Sequence, residues 1–485
     1  MTDRDAIRNN AKYLQHVRPI DPEKICEYVD GHPHPAVVKR ILHEEALDLG
    51  LVQRADGTFV PVSDDPVPHR EGTVERFPIA YARTFEDELV AAYGPDWHRG
   101  DSGDALRTTI RRLKDDYFHQ RDVTYDERAA LAYGCYHLPD FYAAIQYVLR
   151  DLTEKHLLDH DLRILDVGAG VGGPALGIND ALPDDALVDY HALEPSANAD
   201  VLETMLAETG DNFHTTVHRD RAEAVDPTGI DIDGSADNPS EFDLVLFANV
   251  LNELEDPESV LETYANAVAD DGALVALAPA DENTATGLRT AERAVVQTTD
   301  ATVYSPTVRL WAGQEPTDHG WTFDVKPDLD VPEFQRRLDD ATPESDTEHT
   351  PGEFVNVDVQ YAYSILRRDG ARRLDVTASS SKYARMADTE SHVPNRIKAI
   401  AVKLSHDLTD RDDANPLYKV GDGSQGTDHY AVLTNETALN DALAYADYGD
   451  LLTFDGVLAL WNDDEQAYNL VVDEQTTVDH APAPL

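Results

Sequence analysis

Cysteine is almost missing from this sequence: 485 residues contain two, Cys26 and Cys135, far apart and in no metal-ligand spacing. That excludes a disulfide scaffold, a zinc module built on cysteine and a four-cysteine iron–sulfur site. Nineteen histidines include His32-Pro33-His34, but no HExxH occurs, and no metal site is expected. Lysine is scarce too, ten against thirty arginines, and the 40 basic residues face 93 acidic ones for a formal net charge of −53. No run approaches the ~18 apolar residues of a membrane span. The start, Met1-Thr2-Asp3-Arg4-Asp5, lacks the apolar stretch of a signal peptide, so a cytoplasmic protein without membrane partners is expected. Disorder, the usual reading of such charge, fails because 41% of the chain is hydrophobic, 21 residues are Tyr, and apolar periodicity runs through most of it. A folded protein with an acidic surface suited to concentrated salt, a halophile-type composition, is the expectation.

Four regions follow from the patterning. Residues 1–70 read as helices and a two-stranded wing. Asp21-Pro22 sets an N-cap with Pro at the first helical position, and Asp56-Gly57 supplies a tight turn between the apolar runs at 51–54 and 58–61. This is a winged-helix-like module. Residues 71–158 read as a helical linker. Residues 159–378 alternate strand and helix, with apolar runs at 164–167, 187–193, 213–217, 242–247 and 273–277, and two more strands at 355–366 and 372–376 meeting in a hairpin at Asp369-Gly370. The acidic stretch 231–240 reads as a solvated loop. Residues 390–480 show five strand-like runs with a helical stretch at 438–446 between the third and fourth, the order of an OB-like β-barrel; Tyr418, Tyr430, Trp461 and Tyr468 are its candidate ligand-facing aromatics.

The stretch that carries chemistry is Leu165-Asp166-Val167-Gly168-Ala169-Gly170-Val171-Gly172-Gly173, ending the first sheet strand and opening a helix. Glycines there let the backbone turn tightly and let a ligand approach. Glu194 closes the second strand, placed to accept hydrogen bonds from two ribose hydroxyls, and Asp220 follows the third. A dinucleotide would make similar demands. The spelling Asp-x-Gly-x-Gly-x-Gly, without the Gly-x-Gly-x-x-Gly of pyrophosphate binders, favours S-adenosylmethionine, as does an antiparallel final hairpin. The cofactor-binding set is therefore Asp166, Gly168, Ala169, Gly170, Gly172, Glu194, Asp220 and Asn249. The fourth strand runs into Asn249-Val250-Leu251-Asn252-Glu253, and Asn249 and Glu253 are the catalytic candidates, for aligning an acceptor and removing its proton. For Glu253, a plain helix-start carboxylate is the equal alternative.

The segments 111–117, Ala129-Ala130-Leu131-Ala132-Tyr133, His137-Leu138-Pro139-Asp140-Phe141-Tyr142-Ala143-Ala144, 165–173, 249–254 and 359–366 occur in the order that resembles the methyltransferase-like family of the mitochondrial small ribosomal subunit, in an archaeal form. The resemblance covers roughly 105–376. It implies a seven-stranded class I methyltransferase (Rossmann-like) domain that acts on, or helps assemble, the small ribosomal subunit and binds its rRNA. Relatives often hold an iron–sulfur cluster on cysteines past the fifth strand. Here 278–353 has no Cys, so no cluster is expected, and Ala278-Pro279-Ala280-Asp281 stands where relatives often have Glu-Pro-Gly-Thr. Other readings are a non-catalytic assembly or RNA-binding factor that retains the pocket, a small-molecule methyltransferase and a DNA-binding regulator. An acidic chain can still meet phosphate in molar salt, where the Debye length is about 3 Å. The pairs Arg111/Arg112, Arg336/Arg337, Arg367/Arg368 and Arg372/Arg373 are candidate phosphate forks, with solvated faces as the alternative.

Overall fold

The computed structural model describes residues 4–230, 241–409, 411 and 414–481, so the acidic stretch 231–240 lies outside the described residues. They form two compact units: residues up to 246 with 329–357, and residues 247–328 with 358 onward.

The first unit begins with helices Arg4–Leu14, Pro22–Tyr28, Pro35–Glu44 and Ala46–Leu49 and the antiparallel strands Leu51–Gln53 and Phe59–Pro61. Asp21 caps the second helix by accepting from Glu23 N–H, as its place before a proline predicts. Ile7, Ile20, Ile25, Val38, Ile41, Leu42, Leu51 and Phe59 form this module's own core. Helices Ile79–Tyr93, Gly100–Phe118 and α1 (Glu127–Thr153) follow. Asp126 caps α1 through Ala129 N–H at 2.8 Å.

The sheet strands β1 (Asp161–Val167), β2 (Leu187–Leu193), β3 (Phe213–His218) and β4 (Phe242–Ala248) come next, with α2 (Gly173–Ala181) and helix Asn198–Leu206 as crossovers. The order in this unit is β3-β2-β1-β4. β1 and β2 pair in parallel from Asp161↔Leu187 to Val167↔Leu193, and β2 pairs with β3 in parallel from Val188↔Phe213 to Leu193↔His218. Ile164, Leu165, Asp166 and Val167 are all fully buried, as in a strand covered on both faces. A Cβ at Gly177 of α2 would stand 2.4 Å from Tyr142 O and from Ile145 Cγ2, so only glycine permits this approach of α2 to α1.

In the second unit β5 (Val268–Pro279), β6 (Thr302–Ser305) and β7 (Val359–Arg367) lie in the order β5-β7-β6, antiparallel, with Asp324–Lys326 also pairing β7. This corrects the expected final hairpin. The Asp369-Gly370 turn forms, with Gly370 at φ +73°, but 372–376 does not return as a strand. The far edge of β7 is already taken, Ile365↔Ser305 to Arg367↔Thr302, and Arg372 folds its segment back through Asp375 and Arg309 O.

The same unit ends in a closed barrel: β8 (Arg396–Lys403), β9 (Leu417–Gly421), β10 (His429–Leu433), β11 (Leu451–Asn462) and β12 (Ala467–Val472), with β13 (Thr477–His480) added on β11. The circuit is β8-β9-β10-β12-β11-β8, and β10–β12 is its parallel pair. Gly456, at φ +77°, is bulged out between Ile397↔Val457 and Lys398↔Asp455, a bend that helps β11 close the ring. The helical stretch expected at 438–446 is realised as a single turn of helix, Ala442–Tyr445. Tyr418 belongs to the barrel core, whereas Trp461 is 38% exposed and meets Tyr468 edge-on at 4.8 Å.

Candidate cofactor site

The glycine loop joins β1 to α2. Gly168, Gly170 and Gly172 all take positive φ, +71°, +56° and +94°, where a side chain costs about 1–2 kcal/mol. Gly168 N–H donates to Leu193 O at 2.8 Å, tying the loop to the end of β2, and Ala169 N–H does so at 3.3 Å. Gly172 is the left-handed residue from which α2 starts.

Two acidic residues complete this corner. Glu194, buried at the end of β2, accepts from Gly170 N–H at 2.9 Å through Oε2 and from Ser196 N–H (2.9 Å) and Oγ (2.6 Å) through Oε1. Burial pushes its carboxyl up, and the Ser196 and Gly170 donors pull against that. Asp166 is fully buried; Tyr190 Oη donates to its Oδ2, while Oδ1 has no partner among the described residues. Burial raises this carboxyl to about 7, the Tyr190 bond opposes the rise, and Glu194 adds to it. No cation is paired with either carboxylate among the described residues. A buried polar atom left open costs about 1–3 kcal/mol, so Asp166 Oδ1 marks capacity for a donor that the chain itself does not supply. Asp220, two residues past β3, is exposed.

Asn249 and Glu253 belong to the second unit. Asn249 is buried at φ +60° just past β4, its N–H donating to Leu277 O at 3.0 Å. A non-glycine residue held there is a backbone outlier of the kind that concentrates at functional sites. Glu253 sits in the 3-10 turn Leu251–Glu253 and is exposed. The proposed set therefore divides: Asp166, Gly168, Ala169, Gly170, Gly172 and Glu194 are brought together, while Asn249 and Glu253 stand in the other unit.

The sequence reasoning missed the face of α1 that meets the loop. The Tyr133 ring lies 3.5 Å from where a Gly170 Cβ would be, and Phe141 Cβ lies 3.1 Å from the Gly173 position. Their i, i+8 spacing on one helix, with His137 midway, is the signal that could have found them. Among the arginines read as phosphate forks, Arg111, Arg336, Arg337, Arg367, Arg368 and Arg372 each hold a carboxylate: Glu353, Glu333, Glu86, Asp369, Asp300 and Asp375.

Strand orders β3-β2-β1-β4 and β5-β7-β6, with a glycine loop after β1 and an acid after β2, define a class I methyltransferase domain. Residues 165–274 match a family model described as a methyltransferase domain. Residues 4–55 and 387–481 match the N-terminal and C-terminal models of a family described as a domain of unknown function, DUF8157. No curated protein matches the chain. Among solved structures, the plantazolicin methyltransferase BpumL in complex with SAH is 12% identical, covering 45% of this chain and 71% of that one, with a TM-score of 0.24. The mitomycin 7-O-methyltransferase is 16% identical over 57% and 76%, at 0.23. The S-adenosylmethionine-dependent methyltransferase SibL is 16% identical over 58% and 76%, at 0.24. Such scores are too low to bear on acceptor or mechanism. Among the described residues no helix is long and apolar enough to cross a membrane.

Proposed function

We propose that this protein transfers a methyl group from S-adenosylmethionine to rRNA of the small ribosomal subunit. The observation that carries the cofactor half is the corner formed by Gly168–Gly172, Glu194 and the open Asp166 Oδ1, a cradle of positive-φ glycines beside buried, uncompensated carboxylates. In this reading Glu194 receives the ribose hydroxyls, Asp166 receives a donor from the methionine half, and Asp220 lies towards the adenine. The bound cofactor supplies an electrophilic methyl on a sulfonium. The chain's task is to align an acceptor with it and to receive a proton, because in-line displacement is governed by positioning. Asn249, held in a left-handed conformation, is read as an aligning group, and Glu253 as a further candidate for proton removal.

The RNA half rests on the ordered motifs that resemble those of the ribosomal-subunit family and on the barrel. We read the barrel as OB-like: its parallel third and fifth strands and the helix between the third and fourth support that reading, and the exposed Trp461 beside Tyr468 suits base stacking. Residues 4–61 are read as a winged-helix-like module. The alternative, an assembly factor that keeps the pocket without turnover, is separated by experiment. Calorimetric titration of S-adenosylmethionine in molar salt is expected to show binding by the wild type and none by Gly170→Asp or Glu194→Ala. Deletion is expected to remove one methylated nucleotide from small-subunit RNA. Failure of a folded wild type to bind overturns the enzyme reading; binding without a lost methyl group leaves the assembly role.

A further inference from the structure

His137 lies one turn along α1 from Tyr133, on the face that meets the glycine loop. Its ring stacks on Phe141, with centroids 4.9 Å apart and planes 17° apart, and sits 5.1 Å from Tyr133, which meets Tyr125 edge-on at 5.4 Å. His137 Nδ1 faces Asp140 Oδ2 at 3.5 Å, one turn on. Asp140 Oδ2 also accepts from Asn356 Nδ2 at 2.9 Å, and that amide stands 3.4 Å from His137 Nδ1. Asp140 Oδ1 is buried with no partner among the described residues. His137 Nε2 makes no hydrogen bond there either, and the side chain is 26% exposed. Helix α1 thus carries an imidazole with one nitrogen turned to a carboxylate, the other open, and flat aromatic surface on both sides.

That is how a general base is built: an open ring nitrogen, with the opposite nitrogen oriented by an acid that is itself held in place. Of the flanking rings Tyr133 is buried, whereas the half-buried Phe141 and Tyr125 suit a nucleobase, which stacks on such a ring irrespective of its identity. We propose that His137, oriented by Asp140 and Asn356, is the proton acceptor for methylation of a nucleobase nitrogen bound against this aromatic face, an inference that rests on the RNA-methyltransferase reading above. The acceptor nitrogen bonds the methyl carbon, the sulfur–methyl bond breaks with its electron pair left on sulfur, and the nitrogen's proton passes to His137 Nε2. The imidazolium so formed faces the Asp140 carboxylate. Burial raises the Asp140 carboxyl, and His137 and the Asn356 hydrogen bond pull against that rise.

The test uses the full chain, methyl-labelled S-adenosylmethionine and small-subunit RNA from a strain lacking the protein. General-base contributions run to about 10²–10⁴-fold. His137→Ala is expected to lower kcat by at least about 100-fold, with cofactor Kd and RNA KM within about twofold of wild type, and added imidazole is expected to restore part of the rate. Asp140→Asn is expected to lose about tenfold in kcat without imidazole rescue, as a positioning residue should. Full activity of His137→Ala, or a loss confined to KM or to folding, overturns the proposal. A wild type that binds cofactor but labels no RNA overturns it while sparing the cofactor site. A wild type that binds no cofactor overturns the reading beneath it.

Discussion

Both units bury charge, but in opposite ways. In the first, Asp166 and Glu194 are held by a tyrosine hydroxyl, a serine and backbone N–H groups, with no cation beside them among the described residues. In the second, Arg289, Glu292 and Arg293 on helix Glu282–Thr298 interlock with Asp318, all essentially inaccessible. Arg289 also donates to Tyr363 O and Arg293 to Asp318 O. Burial still drags the Arg293 guanidinium down to about 10, which measures how dry that site is. Arg289 Nε and Asp318 Oδ2 are left over, yet the opposed charges face one another. A closed network of opposite charges is structural. Carboxylates buried without counter-charge are stable only at a cost, which points to a ligand that completes them.

The comparison breaks most visibly if one member of the closed network is removed. Arg293→Met leaves Glu292 and Asp318 short of a partner, and a loss of about 3–5 kcal/mol is expected in denaturant unfolding. A loss below ~1 kcal/mol would show that the network is not what holds this region.

Asp166→Asn should act with the opposite sign. Because the folded carboxyl is raised to about 7, its stabilising contribution is complete at low pH and is lost as pH rises from roughly 4 through 7. Without cofactor, the variant should therefore be the more stable protein at pH 8, by at most about 4 kcal/mol, with the gap closing towards pH 4. Glu194 and Asp140 are also raised by burial and add a slope of the same sign, so the readout is the difference between variant and wild type. The same variant should bind S-adenosylmethionine more weakly. Equal stability across this range would mean that Asp166 is not held uncompensated.

The smallest change in stability is expected for Gly170→Val, about 1–2 kcal/mol for a side chain at φ +56° with Tyr133 3.5 Å away. Its cofactor binding should nonetheless fall beyond detection by calorimetry. Retained binding would show that the loop's backbone does not carry the ligand.

How much of this was legible beforehand follows from the range of the forces involved. The strands at 164–167, 187–193, 213–217, 242–247 and 273–277, the Asp21 cap and the glycine loop are written in residues that are near neighbours, where apolar runs, caps and positive φ decide the outcome. Where distant segments compete, sequence reasoning went astray. The edge of β7 was assigned to 372–376 because a turn precedes it, but 302–305 holds that edge. Of the arginine pairs, open beforehand between phosphate forks and solvated faces, Arg111, Arg337 and Arg368 meet carboxylates far along the chain, Glu353, Glu86 and Asp300, which only the fold brings to them.

The sequence by itself determined a β–glycine loop–α unit with an acid ending the next strand, and an acidic chain without cysteine ligands, because these depend only on residue type and local order. Only the tertiary structure decided that Asn356, 219 residues from His137, would reach it and Asp140, that Tyr133 would lean on Gly170, and that β8 would meet β11 to close the barrel. Each of those contacts needs long loops to close before any favourable interaction forms, and which partner is reached is fixed by strand register and packing rather than by the residues at either end.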